Sequence, residues 1–144
     1  MDYQAKVWEG RDKWGLRYLK LIIPRKLTFA GTLASVFTAG TTTEALVEQM
    51  SIPPLARLAR LLPQLDSSSS EAVGNALQVA EDFATCMRDP EWVNKVKSVE
   101  GPDEVRGSVV DDMRLRAKDL QKALEKVFFS SELLRSTSIR YLSF

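Results

Sequence analysis

The segment from residue 101 to 130 most constrains the fold, because its apolar residues recur at the spacing of one helix face. The stripe consists of Val105, Val109, Met113, Ala117, Leu120, Leu124 and Val127. Steps of three or four residues return to the same side of an α-helix. Asp103 and Glu104 add negative charge to the first turn, which the helix dipole favours. The pattern predicts a long central helix over residues 103–129, roughly 40 Å in length at ~1.5 Å per residue.

A second long helix is predicted over residues 71–88, as partner of the first. Its stripe is Val73, Leu77, Ala80, Ala84 and Met87, again in steps of three and four. The four serines at 67–70 favour a flexible joint before this helix. They also supply candidate caps, and Ser68 with Glu71 has the spacing of a capping box.

The segment between the N-terminal region and these helices predicts shorter helices. Residues 27–50 contain β-branched and small residues, but apolar and polar residues do not alternate there as in a strand. We therefore expect helices with a turn near 40–43. Thr43 is expected to cap a helix over 44–50. Pro53 and Pro54 open a short helix that Pro63 ends or kinks. That helix is expected to place Leu55, Leu58, Leu62 and Leu65 on one face, and Arg57 and Arg60 on another.

The N-terminal segment, residues 1–26, predicts a basic amphipathic helix over 3–23 that stops at Pro24. Its apolar face is expected to contain Tyr3, Val7, Trp14, Tyr18, Leu21 and Ile22, with Lys6, Lys13, Arg17 and Lys20 in a stripe beside it. Gly10 and Gly15 weaken such a helix by ~1 kcal/mol each relative to alanine. The helix therefore needs a surface to lie against.

Together these patterns predict one all-α domain over residues 1–144, a small bundle of five or six helices with two long central ones and a C-terminal tail over 131–144. A chain of 144 residues with 44% apolar residues can build one ordinary core. The net charge of +1 argues against a surface that is basic throughout.

The charges are nevertheless unevenly distributed along the chain. Residues 1–28 carry seven Lys/Arg against three Asp/Glu, residues 66–112 four against eleven, and residues 113–144 seven against three. Two explanations stay open. The acidic helix packs beside the basic ones inside the fold, or the basic ends face an anionic partner.

The absence of histidine excludes several kinds of active site. A Ser-His-Asp triad, a Cys-His pair and an imidazole metal ligand are impossible. No lysine has a serine three positions upstream, and no Gly-Lys-Ser/Thr follows the small residues at 40–43. Glu104 and Asp111 would share a face of the predicted central helix, but an oxygen cage for a hard cation takes six or more ligands. We therefore predict no catalytic residues, no metal, no cofactor and no small-molecule substrate.

The single cysteine, Cys86, excludes an internal disulfide and favours an intracellular, reducing compartment. No signal peptide is apparent. The longest uncharged run, residues 27–43, has 17 residues, whereas a bilayer span needs ~20 mostly apolar ones. Contact with a membrane would therefore be at its surface.

The N-terminal helix is the candidate docking surface, for a membrane or for a protein partner. Its residues are Lys6, Trp8, Lys13, Trp14, Arg17, Tyr18 and Lys20. A basic stripe beside aromatic side chains is typical of an interfacial helix, although a core-packed helix also has one apolar and one charged face. Nucleic acid is disfavoured because the aromatic residues lie away from the basic stripe.

Residues 9–13, Glu-Gly-Arg-Asp-Lys, resemble the start of the peroxisome-elongation (peroxin-11) family. That family commonly carries Gly-Arg-Asp-Lys in a basic amphipathic first helix. The resemblance covers about the first 25 residues. Arg17 and Tyr18 do not sit at the family's offsets, and the hydrophobic segments of its C-terminal half have no counterpart. It implies an intracellular protein that lays amphipathic helices on an organelle membrane.

These features favour a non-enzymatic helical interaction module that docks on an anionic membrane surface through the N-terminal helix. The alternative is a structural subunit packed into a larger protein assembly or shell. In that case neighbouring chains would bury the N-terminal helix and the C-terminal tail.

Overall fold

Helices dominate the computed structural model, which describes residues 13–39, 42–130 and 134–135 and has no strand among them. The predicted all-α class is confirmed. The helices are α1 (Trp14–Ile22), α2 (Pro24–Ala39), α3 (Thr43–Met50), α4 (Pro54–Ala59), α5 (Ser67–Met87), α6 (Pro90–Lys97) and α7 (Val109–Glu125). Two 3-10 turns (Leu62–Gln64 and Pro102–Glu104) join them, and a π-helical turn (Lys126–Ser130) extends α7.

Helices α1 and α2 follow each other directly, with a break at Pro24, and the two together are called the rod below. Helical hydrogen bonds continue on both sides of the break: the Ile23 amide donates to the Leu19 carbonyl at 3.1 Å, and the Leu27 amide donates to the Ile23 carbonyl at 3.1 Å. Proline has no N–H and displaces the preceding turn. The first helix thus ends just before Pro24, as the sequence predicted, and Pro24 is the first residue of the next helix, α2.

The central pair α5 and α7 pack along each other, as predicted, but both begin elsewhere than expected. Helix α5 begins at Ser67, because the Asp66 carboxylate accepts a hydrogen bond from the Ser69 amide at 2.8 Å. The four serines are therefore the first turn of the helix and not a joint. Helix α7 begins at Val109, because Gly107 has a φ of 78°, which a right-handed helix does not accommodate.

The core lies between the rod, α5 and α7. The buried stripe of α5 is Ala72, Val73, Ala76, Val79, Ala80 and Phe83, while Ala84 is exposed, so the apolar face is rotated from the predicted one. The buried stripe of α7 is Val110, Met113, Ala117, Leu120, Ala123 and Leu124. An ion pair between Asp82 and Arg116 joins the two helices. This is one contact of the kind expected if the acidic helix packs beside basic ones.

The short helices α3 and α4 are joined by a buried arginine. The predicted helix over 44–50 is confirmed as α3, which begins at Thr43, but its cap is Thr42, whose side chain accepts from the Ala45 amide at 3.3 Å. Residues 40 and 41 of the predicted turn lie outside the described residues. Arg57, which the sequence placed on a different face from the leucines, is buried and 7% exposed. Its Nε donates to the Ile52 carbonyl and its Nη2 donates to the Met50 carbonyl at 3.1 Å. The guanidinium thus satisfies carbonyls at the end of α3, a role that helical periodicity does not reveal.

Candidate functional site

Helix α1 presents a basic side to solvent and packs its opposite side into the core. Gly15, Leu19 and Ile23 are buried. The exposed side contains Lys13, Arg17, Lys20 and Leu21. The direction of the apolar face was therefore predicted wrongly. Leu21, expected on that face, is 38% exposed, and the buried side of the helix lies around Leu19.

A close backbone contact explains the orientation of α1. The Gly15 amide donates to the Val99 carbonyl at 3.0 Å. A Cβ at Gly15 would overlap the Val96 carbonyl oxygen and would lie 3.3 Å from Cγ2 of Val110. Glycine is therefore required where the helix meets the segment around Val99, and the sequence prediction treated it only as a weakness of the helix.

The rod has an unbalanced charge. Residues 13–39 contain five cations (Lys13, Arg17, Lys20, Arg25 and Lys26) and no aspartate or glutamate. Lys26 donates to the side chain of Gln121 on α7, and the other four are exposed. Phe29 is 47% exposed on α2, so the rod presents apolar as well as basic side chains to solvent. Lys6 and Trp8 of the predicted docking surface lie outside the described residues.

Trp14 and Tyr18 occupy the flank of α1, between its basic and buried sides. Their rings stack with centroids 5.0 Å apart and planes 8° from parallel, and both are half-buried against the core. They line one wall of an open cleft of about 520 Å³, a size within the range of ligand sites. The remaining lining residues are Pro102, Val105, Arg106, Asp111 and Arg114.

An ion pair organises the polar wall of this cleft. Arg114 donates to Oδ1 of Asp111 from Nε at 2.8 Å and from Nη2 at 2.6 Å. The Gly107 amide donates to Oδ2 of Asp111 at 3.2 Å. These bonds, the Arg114 side chain first, hold the pKa of Asp111 below its ordinary value, and the charge of Arg106 acts in the same direction.

The sequence missed Arg106 and Arg114 as site residues and placed Asp111 wrongly. Asp111 was expected to share a helix face with Glu104, but Glu104 lies in the 3-10 turn before α7. Its carboxylate accepts from the Glu100 amide at 2.8 Å. Within the part of the chain that is described, no group of three or more His, Cys, Asp or Glu side chains could hold a metal ion.

Helix α3 contributes no side chain to the core. Leu46, Val47 and Met50 are 37%, 65% and 45% exposed. Glu44 and Glu48 are also exposed on this helix. Helix α3 is thus an acidic amphipathic helix whose apolar residues face solvent, a feature that marks interaction sites when it is contiguous.

Cys86 is half-buried on α5, as the sequence predicted. Burial raises the pKa of its thiol, and the nearby Asp82 carboxylate acts in the same direction. Both effects oppose formation of the nucleophilic thiolate.

Comparison with protein-family models, curated proteins and solved structures gives no match to this chain. No helix among residues 13–39, 42–130 and 134–135 is long and apolar enough to cross a bilayer. The resemblance of residues 9–13 to the peroxin-11 family stays a prediction, since residues 9–12 are not described.

Proposed function

We propose that the chain is a non-enzymatic helical interaction module that docks on an anionic membrane surface inside the cell through the basic side of the α1–α2 rod. The observation that carries this proposal is the charge of residues 13–39, which contain five cations and no carboxylate. Each Lys or Arg near an anionic leaflet contributes about 1 kcal/mol. The exposed cations of the rod would therefore supply the attraction for reversible attachment, which should be strongest at low salt.

The packing of α1 indicates how the module would dock. Leu19 and Ile23 fill the core, so they are not available for insertion into lipid while the bundle is closed. Attachment would be electrostatic, supported by Leu21 and Phe29, which are exposed on the rod. Such attachment weakens as salt screens the charges.

Vesicle co-sedimentation tests the proposal. The protein should sediment with phosphatidylcholine vesicles that contain phosphatidylserine, and not with phosphatidylcholine alone, and binding should weaken at the higher of two salt concentrations. The variant K13E/R17E/K20E should bind at least about a hundredfold more weakly, since each reversal removes about 1 kcal/mol or more of attraction.

The matched control is K118E/K122E/K126E, which reverses three exposed lysines of α7 and the following turn. It changes the net charge equally and should retain most of the binding. Equal loss in both variants, or binding that survives reversal of the rod, would refute docking through α1.

A second function, a structural subunit of a larger protein assembly, is favoured by α3. The apolar side chains of this helix are exposed, and it has no buried residue. A neighbouring chain that covered Leu46, Val47 and Met50 would remove this apolar surface from water.

A further inference from the structure

Several residues that line the cleft beside α1 carry hydrogen-bond donors. They are Trp14 with its indole N–H, Tyr18 with its hydroxyl, and Arg106 and Arg114 with their guanidinium groups. Among the described residues, the side chains of Trp14, Tyr18 and Arg106 make no hydrogen bond or ion pair, and no bond engages Nη1 of Arg114. Several of these donors therefore lack an acceptor within the described part of the chain.

Asp111, the one carboxylate among the described lining residues, is already engaged. Asp111 accepts two bonds from Arg114 and one from the Gly107 amide. This pairing fixes the guanidinium of Arg114 against the cleft wall, while Arg106 lies exposed near the same carboxylate. Among its described residues, the site thus has one cationic donor that is held in place, Arg114, one that is exposed, Arg106, and no unengaged carboxylate. This set suits an anion with several acceptor oxygens.

We propose that this cleft binds a phosphate monoester, with its oxygens on Arg106 and Arg114 and its organic portion against the stacked rings of Trp14 and Tyr18. A phosphate monoester carries close to two negative charges and three acceptor oxygens, which matches the donors present. Pro102 and Val105 provide the apolar remainder of the wall.

The position of the cleft identifies a lipid headgroup as the source, and this step rests on the proposed function. Trp14 and Tyr18 belong to α1 and follow its exposed basic side around the helix. A membrane that meets Lys13 and Arg17 therefore lies next to these rings, and tryptophan and tyrosine favour the headgroup level of a bilayer. A soluble phosphate ester presents the same chemistry and is distinguished below.

The test compares two kinds of phosphatidylcholine vesicle with equal total charge, one containing phosphatidylserine and one containing phosphatidic acid. Phosphatidic acid presents a phosphate monoester, whereas phosphatidylserine presents a diester and a carboxylate. The wild-type protein should bind the phosphatidic acid vesicles about tenfold more tightly, the effect of one additional charged hydrogen bond. The variant R106Q should lose this preference, while its affinity for phosphatidylserine vesicles should fall by no more than the roughly fivefold effect of one surface cation.

The matched control is K118Q, which removes one exposed cation from α7 and should leave the preference unchanged. Equal binding to both kinds of vesicle, or the same effect of R106Q and K118Q, would overturn the proposal.

Glycerol 3-phosphate separates the two sources. Glycerol 3-phosphate is the deacylated headgroup of phosphatidic acid, so its affinity relative to the lipid decides. If it changes tryptophan fluorescence in the wild type but not in R106Q, and binds at least as tightly as the lipid, the cleft takes a soluble phosphate ester. Weaker binding, or failure to compete, assigns the site to the lipid. If no vesicle is bound at all but the fluorescence response remains, the membrane function fails and the phosphate site stands.

Discussion

Gly15 allows two segments that are distant in the sequence to meet backbone to backbone. Its amide donates to the Val99 carbonyl, and the Val96 carbonyl oxygen occupies the place that a Cβ would need. In an isolated helix alanine would be preferred by about 1 kcal/mol. In this bundle the steric conflict between a Cβ at position 15 and the Val96 carbonyl outweighs that helix preference. A backbone carbonyl cannot rotate away as a flexible side chain does.

We therefore expect G15A to lower the free energy of unfolding by about 1–3 kcal/mol, measured by denaturant titration. The control is G74A on α5, where a Cβ would meet nothing within 4 Å. That change should leave stability unchanged or raise it by up to about 1 kcal/mol. A stabilising G15A would show that the approach of α1 to Val96 is wrong.

Arg57 shows where single-residue prediction from the sequence fails. Its spacing placed it on a different face from the leucines, yet it is buried as they are predicted to be, and its guanidinium donates to the Met50 and Ile52 carbonyls. Helical periodicity records only which side a residue occupies. It does not show that the chain reverses after α3 and leaves backbone carbonyls without hydrogen-bond donors next to that residue.

At the scale of elements, the ends of the helices were harder to predict than their existence. Both central helices were expected, because long apolar stripes recur in their sequences. The start of α7 was placed six residues early, since Val105 continues the stripe although Gly107 breaks the helix. The start of α5 was placed late, because four serines look like a joint until Asp66 is seen to cap them.

The Asp66 cap gives a prediction that depends on pH. The hydrogen bond from the Ser69 amide, with a second from the Ser69 hydroxyl, lowers the pKa of Asp66 from 3.8. The native state therefore favours the carboxylate. The cap stabilises the fold fully when the pH is above the pKa that Asp66 has in the unfolded chain. This stabilisation is lost as the pH falls through the lowered pKa of Asp66 in the folded protein.

We expect D66A to have a lower Tm than the wild type at neutral pH. The difference in Tm should become smaller in strong acid, where Asp66 of the wild type is protonated. D66N keeps an acceptor for the Ser69 amide and should restore most of the Tm. The control is S68A, which changes the exposed serine of the predicted capping box and should have little effect. Thermal unfolding by circular dichroism measures all three, and a larger loss in S68A than in D66A would contradict the assigned cap.

At the scale of the whole molecule, the candidate site combines segments that the sequence separates widely. Trp14 and Tyr18 were predicted as part of a docking surface, from their spacing beside basic residues. Arg106 and Arg114 were not, because only the fold brings residues around 110 against α1. A charge pattern reveals a helix face, but a cleft between two helices depends on long-range packing.

Helix α3 provides a test of the subunit function. The variant L46D changes a side chain that is 37% exposed on a helix without buried residues. We expect its stability to stay within about 0.5 kcal/mol of wild type. If a second chain covers α3, light scattering at high concentration should show a smaller mass for L46D than for wild type.

The matched control is L115D, which replaces a leucine that is 50% exposed on α7 and should not change the mass. A wild-type protein that stays monomeric at high concentration would count against self-assembly through α3.

The rod that comes first in the described chain closes on segments that come late. Gly15 bonds to Val99, Lys26 to Gln121, and Phe37 stacks on Phe128. A ribosome adds roughly 5–20 residues per second, so the residues that cover Leu19 and Ile23 leave the exit tunnel many seconds after α1 does. During that interval the apolar side chains of this basic segment have no core to pack against. If the chain docks on membranes as proposed, we expect its attraction to lipid to be strongest before the fold is complete.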